Sequence, residues 1–346
     1  MTFTPETQVS ALTNVRRERV LPSPGDVLVR RGQRVESMQV VARTQLPGEF
    51  RILPLAFELG VPPSKVKKHL RVALGDTVQQ GQTVAKRVKS PISGMVTAIG
   101  GGRMLIEAQP TPFELRAHIP GQVTAILRDY GVVVETNGAL IQGTWGTGEE
   151  NVGVIKCLIE SPDEILGADL VDPASQGSIL IAGAGMDLQV LQRAIELQVR
   201  GIVTGGLAPE LIPEAQAAPF PVIATEGVGT IPMSPPVFQL LTSHDGREAA
   251  ISGRFKPRWG IVRPEIIIPL PAESVPGDAA PPGSPLAVGD RVRIIRDPYL
   301  GAVGKITKLP GDVRSTETGA RVQGAEIDMG QASPVFVPLA NLEILR

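Results

Sequence analysis

Residues 177–187 read GSILIAGAGMD, residues 188–200 read LQVLQRAIELQVR and residues 201–207 read GIVTGGL. After a Pro/Ala-rich connection, residues 219–230 read PFPVIATEGVGT. Each of three short apolar runs ends in a turn that contains glycine, and an amphipathic segment joins the first two runs. This alternation is typical of an open, mostly parallel α/β sheet. We therefore predict a Rossmann-like α/β domain over residues 156–271.

The turns after these three strands are predicted to meet at one edge of the sheet, where open α/β sheets bind ligands. Asp187 precedes the predicted helix, so its carboxylate can cap that helix. Glu226 supplies the other carboxylate at this edge. The candidate ligand-binding residues are Gly183, Gly185, Asp187, Thr204, Gly205, Gly206, Thr225, Glu226 and Gly227.

Catalytic signatures are missing from that edge. No His or Cys accompanies the two carboxylates, and the third glycine of a dinucleotide-binding fingerprint is absent. We therefore predict no catalytic residue, no metal and no cofactor. One alternative stays open, in which the edge binds a small molecule or a nucleotide and the protein is an enzyme.

Three helices are predicted in the middle of the chain. Ser161 followed by Glu164 forms a capping box, which predicts a short helix at the entry to the α/β domain. The pattern from Asp187 to Arg200 predicts the second helix, and Ser234 with its two following prolines predicts the start of the third.

The composition fits a multidomain globular protein. The 346 residues carry a formal net charge of −1 and are 42% hydrophobic, which disfavours disorder and an obvious polyanion-binding surface. The single cysteine, Cys157, excludes an internal disulfide. The N-terminus lacks the apolar segment of a secretory signal, and no stretch reaches about 18 uninterrupted apolar residues. We therefore expect a cytoplasmic protein without membrane insertion.

Two pairs of segments repeat within the first 155 residues. Residues 29–43 match residues 72–86, and residues 92–99 (ISGMVTAI) match residues 119–126 (IPGQVTAI). Each member of the second pair is followed by an apolar run ending in Glu, MLIE at 104–107 and VVVE at 132–135. Such repetition rarely arises by chance. Valine, isoleucine and glycine at fixed corners predict short strands in a compact β module over residues 1–155.

The repeated sequence, GDTVQQGQTVA at 75–85 followed by SPISGMV at 90–96, resembles the sequences of domains with the barrel-sandwich hybrid fold. Biotinyl and lipoyl carrier domains, membrane-fusion adaptors and the N-terminal domain of one family of electron-transport complex proteins share that fold. Carrier domains present a lysine on a hairpin at this point. Only residues 86–90 separate Ala85 from Pro91 here, which leaves no room for the hairpin, so we predict no biotin or lipoate on Lys86 or Lys89.

Trp145 stands out in a chain with only 3% aromatic residues, and glycines surround it. Two interpretations remain open. Trp145 could anchor a protein partner, or it could pack as a lid on its own domain.

The C-terminal residues 286–311, LAVGDRVRIIRDPYLGAVGKITKLPG, resemble a KOW motif within an SH3-like barrel, as in bacterial transcription-elongation factors and ribosomal proteins. The Pro/Gly/Ala-rich linker 272–285 separates this predicted barrel, residues 286–346, from the α/β domain. The resemblance implies contact with RNA or protein through Tyr299, flanked by Arg296 and Lys305. Because residues 286–346 carry a net charge of only +1, we favour a protein partner over RNA.

Together, these observations predict a multidomain α/β plus all-β protein. The leading hypothesis is a non-catalytic cytoplasmic scaffold or adaptor that contacts a protein partner or forms a homo-oligomer. The alternatives are a ligand-binding α/β protein and a transcription- or translation-associated RNA-binding factor.

Overall fold

The computed structural model of this protein describes residues 6–256, 262–271, 286–315, 319–330 and 333–345. Strand dominates, at 46% against 15% helix, and the strands form several sheets, the largest of them mixed. The sequence therefore folds into a mainly β protein. The linker predicted at 272–285 lies outside the described residues.

Two interleaved β units follow the short strand β1 (Glu6–Thr7). The first copy comprises residues 9–46 and 111–142, and the inserted copy comprises residues 49–108. The strands of the first copy are β2 Val9–Val20, β3 Asp26–Val27, β4 Arg34–Val35, β5 Val40–Leu46, β12 Thr111–Arg116, β13 Gly121–Leu127 and β14 Gly131–Gln142. The inserted copy contains β6 Phe50–Leu53, β7 Thr77–Val78, β8 Thr83–Ala85, β9 Val88–Lys89, β10 Gly94–Gly100, β11 Arg103–Glu107, the helix α1 Leu55–Leu59 and a 3₁₀ turn at Pro63–His69.

The two copies share strand register down to their bulges. Residues 29–43 correspond to 72–86, residues 115–126 to 88–99, and residues 131–135 to 103–107. The β10–β11 ladder shifts register between Val96 and Ala98. The β13–β14 ladder shifts at the corresponding pair, Val123 and Ala125. The sequence repeat is therefore a structural repeat, with one copy inserted into the other.

The insertion point is a hairpin. In the inserted copy, Ala85 pairs with Val88 across a two-residue turn. In the first copy the corresponding pair is Ala42 and Leu115. The chain between these two residues forms the rest of β5, then the whole inserted copy, and then the first residues of β12. Each copy has its own buried core.

A mixed sheet of 11 strands joins the first copy to the middle of the chain. The further strands of this region are β15 Trp145–Thr147, β16 Glu150–Cys157, β17 Ile165–Leu166, β18 Ser178–Ala182, β19 Gly185–Met186, β20 Gly201–Leu207, β21 Val222–Val228, β22 Glu248–Ser252 and β23 Glu265–Pro269. The order is β15-β21-β20-β18-β16-β22-β23-β14-β13-β4, with β2 paired to β14; β17 and β19 form a separate pair.

Only β16, β18, β20 and β21 are parallel neighbours in this sheet. The prediction of a mostly parallel sheet is therefore wrong for the sheet as a whole, because β15, β22 and β23 add antiparallel pairs. Strand β16 also runs through residue 155, so one set of ladder hydrogen bonds continues across the domain boundary predicted there.

The α-helices of the middle region are α2 Leu188–Glu196, α3 Ile212–Ala217 and α4 Pro235–Thr242. The predicted helices after Asp187 and Ser234 are confirmed, and Asp187 Oδ1 accepts a hydrogen bond from Val190 N at 2.9 Å, as a cap does. The helix predicted from Ser161 is wrong. Ser161 Oγ bonds to the Asp163 carboxylate instead, and the chain passes through a turn into β17.

The C-terminal region forms a six-stranded sheet in the order β1-β30-β24-β25-β28-β29. The strands of this region are β24 Arg291–Ile294, β25 Val303–Lys308, β26 Arg314–Ser315, β27 Arg321–Val322, β28 Gly324–Asp328, β29 Val335–Pro338 and β30 Leu342–Leu345; β26 and β27 lie outside the sheet and pair antiparallel with each other. Strand β1 pairs in parallel with β30. The two ends of the chain are therefore joined in one sheet.

Candidate functional site

The predicted ligand-binding residues do lie close together, but those at 204–206 and 225–227 lie within strands β20 and β21 and not in turns after them; only Gly183 follows its strand, β18. Gly205 N donates to Gly183 O at 2.7 Å. Thr225 Oγ1 donates to Thr204 O at 3.3 Å, and Thr204 Oγ1 donates to Gly206 O at 2.8 Å. Their backbone and hydroxyl groups are therefore directed at one another.

The chain itself covers this edge. A Cβ added to Gly205 would lie 2.3 Å from Ile231 O, and one added to Gly206 would lie 2.1 Å from Gly229 O. Ile231 N donates to Ala184 O at 3.1 Å. Glycine is required at 205 and 206 because the segment 229–233 crosses directly over them.

Glu226 is held in a buried cluster of charges that links the middle region to the C-terminal sheet. Its carboxylate accepts hydrogen bonds from Arg293 on β24 and from Ser234 N at 3.1 Å. The Arg293 side chain is 2% exposed and that of Glu226 is 1% exposed. Arg293 Nη1 also donates to Thr225 O at 2.8 Å, so the guanidinium lies beside the middle of β21.

A second carboxylate completes the cluster. Glu343 on β30 bonds to Arg293 and to the Thr7 hydroxyl, and Arg263 Nη2 lies 3.0 Å from Glu343 Oε1. Burial opposes the charge on Arg293, but the two carboxylates outweigh it and raise the pKa of its guanidinium. Burial likewise opposes the charge on Glu343, and Arg293 holds its pKa below the ordinary value. Two buried carboxylates face two guanidiniums, so the cluster is balanced in charge.

The predicted partner-binding residues lie in two separate places. Trp145 is half-buried on the outer strand β15, opposite Ala224, and packs against the core between the mixed sheet and helix α2. Tyr299 is half-buried against the core of the C-terminal sheet. Arg296 and Lys305 are exposed.

The loop after Tyr299 faces the middle region. A Cβ added to Gly301 would lie 3.5 Å from Ile231 Cγ2. The loop that the KOW resemblance assigns to an RNA or protein partner therefore lies next to the segment that closes the sheet edge.

Sequence reasoning missed a cleft of about 610 Å³ between the first copy and strand β16. Its lining includes His118, which is 5% exposed, has a positive φ of 68° and finds no hydrogen-bond partner for Nε2 among the described residues. Arg19 donates to both carboxylate oxygens of Glu150 there, at 2.8 and 2.6 Å. The inserted copy has Pro91 at the position of His118, a difference that comparison of the repeats could have revealed.

The charges of this cleft are largely paired. Burial lowers the pKa of His118 to about 4, with Glu150 opposing and Arg19, Arg254 and Arg17 reinforcing that shift. Burial would raise the pKa of Glu150, but the hydrogen bonds from Arg19 outweigh it and lower that pKa to about 2. His118 is therefore neutral and Glu150 ionised near pH 7.

The sharpest contrast is between matched outer faces of the two copies. Strand β6 of the inserted copy corresponds to residues 16–19 of β2, because both pair with the same strand of their units in the same register. The first copy carries Arg16, Glu18 and Gln122 on this face. The corresponding residues of the inserted copy are Phe50, Ile52 and Met95, at 61%, 54% and 46% exposure.

The apolar side chains of the inserted copy are not demanded by its fold, since the same backbone accepts charged residues in the first copy. Phe57 on α1 adds a side chain that is 85% exposed. Exposed apolar residues grouped on one face mark interaction sites on soluble proteins, and here Phe50 and Met95 flank the exposed Glu107, which pairs with both. The face formed by Phe50, Ile52 and Met95 is hereafter the apolar face.

No protein-family model matches this chain, and no curated protein matches it either. Among the described residues, no group of three or more His, Cys, Asp or Glu side chains is arranged to hold a metal. The described helices also include none with the length and apolarity to cross a membrane.

Proposed function

We propose that this protein is a non-catalytic scaffold or adaptor that acts through protein–protein contacts of its inserted copy. The observation that supports this proposal most directly is the apolar face. On a matching backbone, Phe50, Ile52 and Met95 stand where the first copy has Arg16, Glu18 and Gln122. A folding requirement does not account for the replacement, whereas a protein partner that buries these side chains does.

The covered edge of the mixed sheet, at Glu226 and residues 229–233, also supports a non-catalytic scaffold. Glu226 is committed to Arg293, and residues 229–233 cross the glycines at the strand ends. A ligand entering there would have to displace a buried, charge-balanced cluster. The alternative of a small-molecule or nucleotide site therefore receives less support than the scaffold.

RNA binding through the C-terminal sheet is the weaker proposal as well. Tyr299 is half-buried against its own core, so only part of its ring is available for base stacking. Arg296 and Lys305 alone do not make the extended basic surface that phosphate binding requires.

A photo-crosslinking residue tests the proposal when it is placed at Met95 and, as a matched control, at Gln122. We expect a stoichiometric protein adduct from position 95 and little from position 122. Equal yields from both positions would contradict the proposal. So would native mass spectrometry that finds a stoichiometric small molecule, lost when Glu226→Gln is introduced.

A further inference from the structure

We infer that the free edge of strand β6 is a self-association site at which a second copy of this chain adds an antiparallel strand. The inference rests on the proposed function and deepens it, because it names the partner: a second copy whose Phe50 would lie beside Phe50 of the first and extend the apolar face across both chains.

Strand β6 is at the edge of the four-stranded sheet of the inserted copy, whose order is β6-β11-β10-β7, and no strand of the described residues pairs with its other side. Ala108 N donates to Glu49 O at 2.8 Å, and the ladder continues with Arg51 opposite Ile106. In an antiparallel ladder, alternate residues bond to alternate sides. The backbone N–H and C=O groups of Phe50 and Ile52 therefore point away from β11, toward the free edge.

This edge is self-complementary in one register. A two-fold axis at Phe50 places that residue opposite its own copy, where both residues direct their backbone groups outward and can exchange two hydrogen bonds. Glu49 and Arg51 form an exposed ion pair with each other within one chain. In the dimer, Glu49 of each copy would lie opposite Arg51 of the other, so each charge would have a partner across the strand pair as well. Opposite charges directly across a strand pair are stabilising.

The neighbouring registers are poorer. An axis at Arg51 would place like charges opposite each other and would rely on backbone groups already bonded to β11. An axis between residues 50 and 51 would pair an outward-bonding residue with an inward-bonding one. Only the axis at Phe50 satisfies both the charges and the backbone alternation.

The pairing also closes on itself. Pro47 and Pro54 flank the strand, and proline limits how far a ladder can extend. Once two β6 strands pair, neither copy has that edge left, so a dimer forms rather than a chain. In the first copy the corresponding residues 16–19 are Arg, Arg, Glu and Arg. Arg16 and Glu18 are exposed there, and exposed charges are a usual protection of an edge strand.

Sedimentation equilibrium of the full chain at micromolar concentration tests the inference. We expect a dimer for the wild type. Glu49→Arg or Arg51→Glu alone places like charges opposite each other twice and should raise the dissociation constant at least about tenfold. The double variant Glu49→Arg/Arg51→Glu restores opposite charges and should return the dissociation constant to near the wild-type value.

A second variant uses the first copy as its control. Phe50→Arg with Ile52→Glu installs the residues that the same backbone carries at 16 and 18, so the chain should fold and sediment as a monomer. A monomeric wild type, or a dimer that all four variants leave intact, would overturn the inference. Crosslinking at Met95 to a different protein would still support the scaffold in either case, so the two failures are distinguishable.

Discussion

The first copy and the inserted copy have the same strand register but opposite relations to the rest of the molecule. The first copy shares β14 with the large mixed sheet, and its outer face is charged. The inserted copy keeps a separate core and sheet and presents an apolar face. The comparison shows that this backbone specifies its buried positions and leaves its surface free to be used for contacts.

The largest expected loss of stability falls on the mixed and C-terminal sheets and should not reach the inserted copy. Arg293→Met leaves Glu226 and Glu343 buried with reduced compensation and should lower the free energy of unfolding by about 3–5 kcal/mol. Hydrogen exchange should show lost protection in the mixed and C-terminal sheets and unchanged protection in β10 and β11.

The matched control for that variant is Arg314→Met, in the same C-terminal region. Arg314 pairs with Glu326 at 2.9 Å with both side chains partly exposed, so its loss should cost at most about 1 kcal/mol. Equal costs for the two variants would show that the buried cluster has no special role.

Acid should affect the first copy and spare the inserted one, because His118 corresponds to Pro91. The folded-state pKa of His118, about 4, lies below its ordinary value of 6.5. Below pH 6.5 the unfolded chain binds a proton that the folded chain rejects, so stability should fall by up to about 3 kcal/mol between pH 6.5 and 4.

His118→Asn should flatten this loss, since asparagine tolerates a positive φ and does not titrate. Denaturant unfolding at pH 7, 6 and 5 measures this loss of unfolding free energy. Glu150 does not affect the comparison at these pH values, because its protonation lowers the stability only below pH 4.5. An identical pH dependence in the variant and the wild type would contradict the assignment.

Matched core substitutions sharpen the comparison further. Val96 and Val123 occupy the same position in the two copies, and both are fully buried. Each change to alanine should cost about 2 kcal/mol. Hydrogen exchange should place the effect of Val96→Ala within residues 49–108 and spread that of Val123→Ala through the mixed sheet, and the same spread for both would argue against separate units.

The smallest effect concerns a repeated turn. Gln39 Oε1 accepts from Glu36 N at 3.3 Å, and Gln82 Oε1 accepts from Gln79 N at 2.8 Å. Each change to alanine should cost roughly 0.5–1 kcal/mol, with Gln82→Ala the costlier because its hydrogen bond is shorter. Thermal unfolding of the two variants would show the order, and a larger loss for Gln39→Ala would contradict it.

The repeat and its strands were predictable because identical local patterns of valine, isoleucine and glycine specify identical turns. The helix after Asp187 was predictable because its capping residue and its apolar periodicity are local features of the sequence. The capping box at Ser161 failed because its side chains find local turn partners instead. The residues predicted for the sheet edge do lie close together, because their strands are parallel neighbours, but the strands β20 and β21 run on through two of the three predicted turns.

The contacts that close that edge were beyond local reasoning. Arg293 meets Glu226 across 67 positions of sequence, and Thr7 meets Glu343 across 336. No spacing rule links such residues. An arginine in a strand of alternating polar and apolar residues is predicted to lie on the surface until its partner is known. The insertion of one repeat into the hairpin of the other is likewise visible only in the strand pairing.

The inserted copy, as we propose it, is a separate unit that carries the interaction surface. The most direct test replaces residues 43–114 with Lys-Arg, so that Ala42 and Leu115 are joined as Ala85 and Val88 are in the inserted copy. Native mass spectrometry should then show a folded monomer beside the full-length dimer. A chain that cannot fold, or that still dimerises, would contradict the proposal.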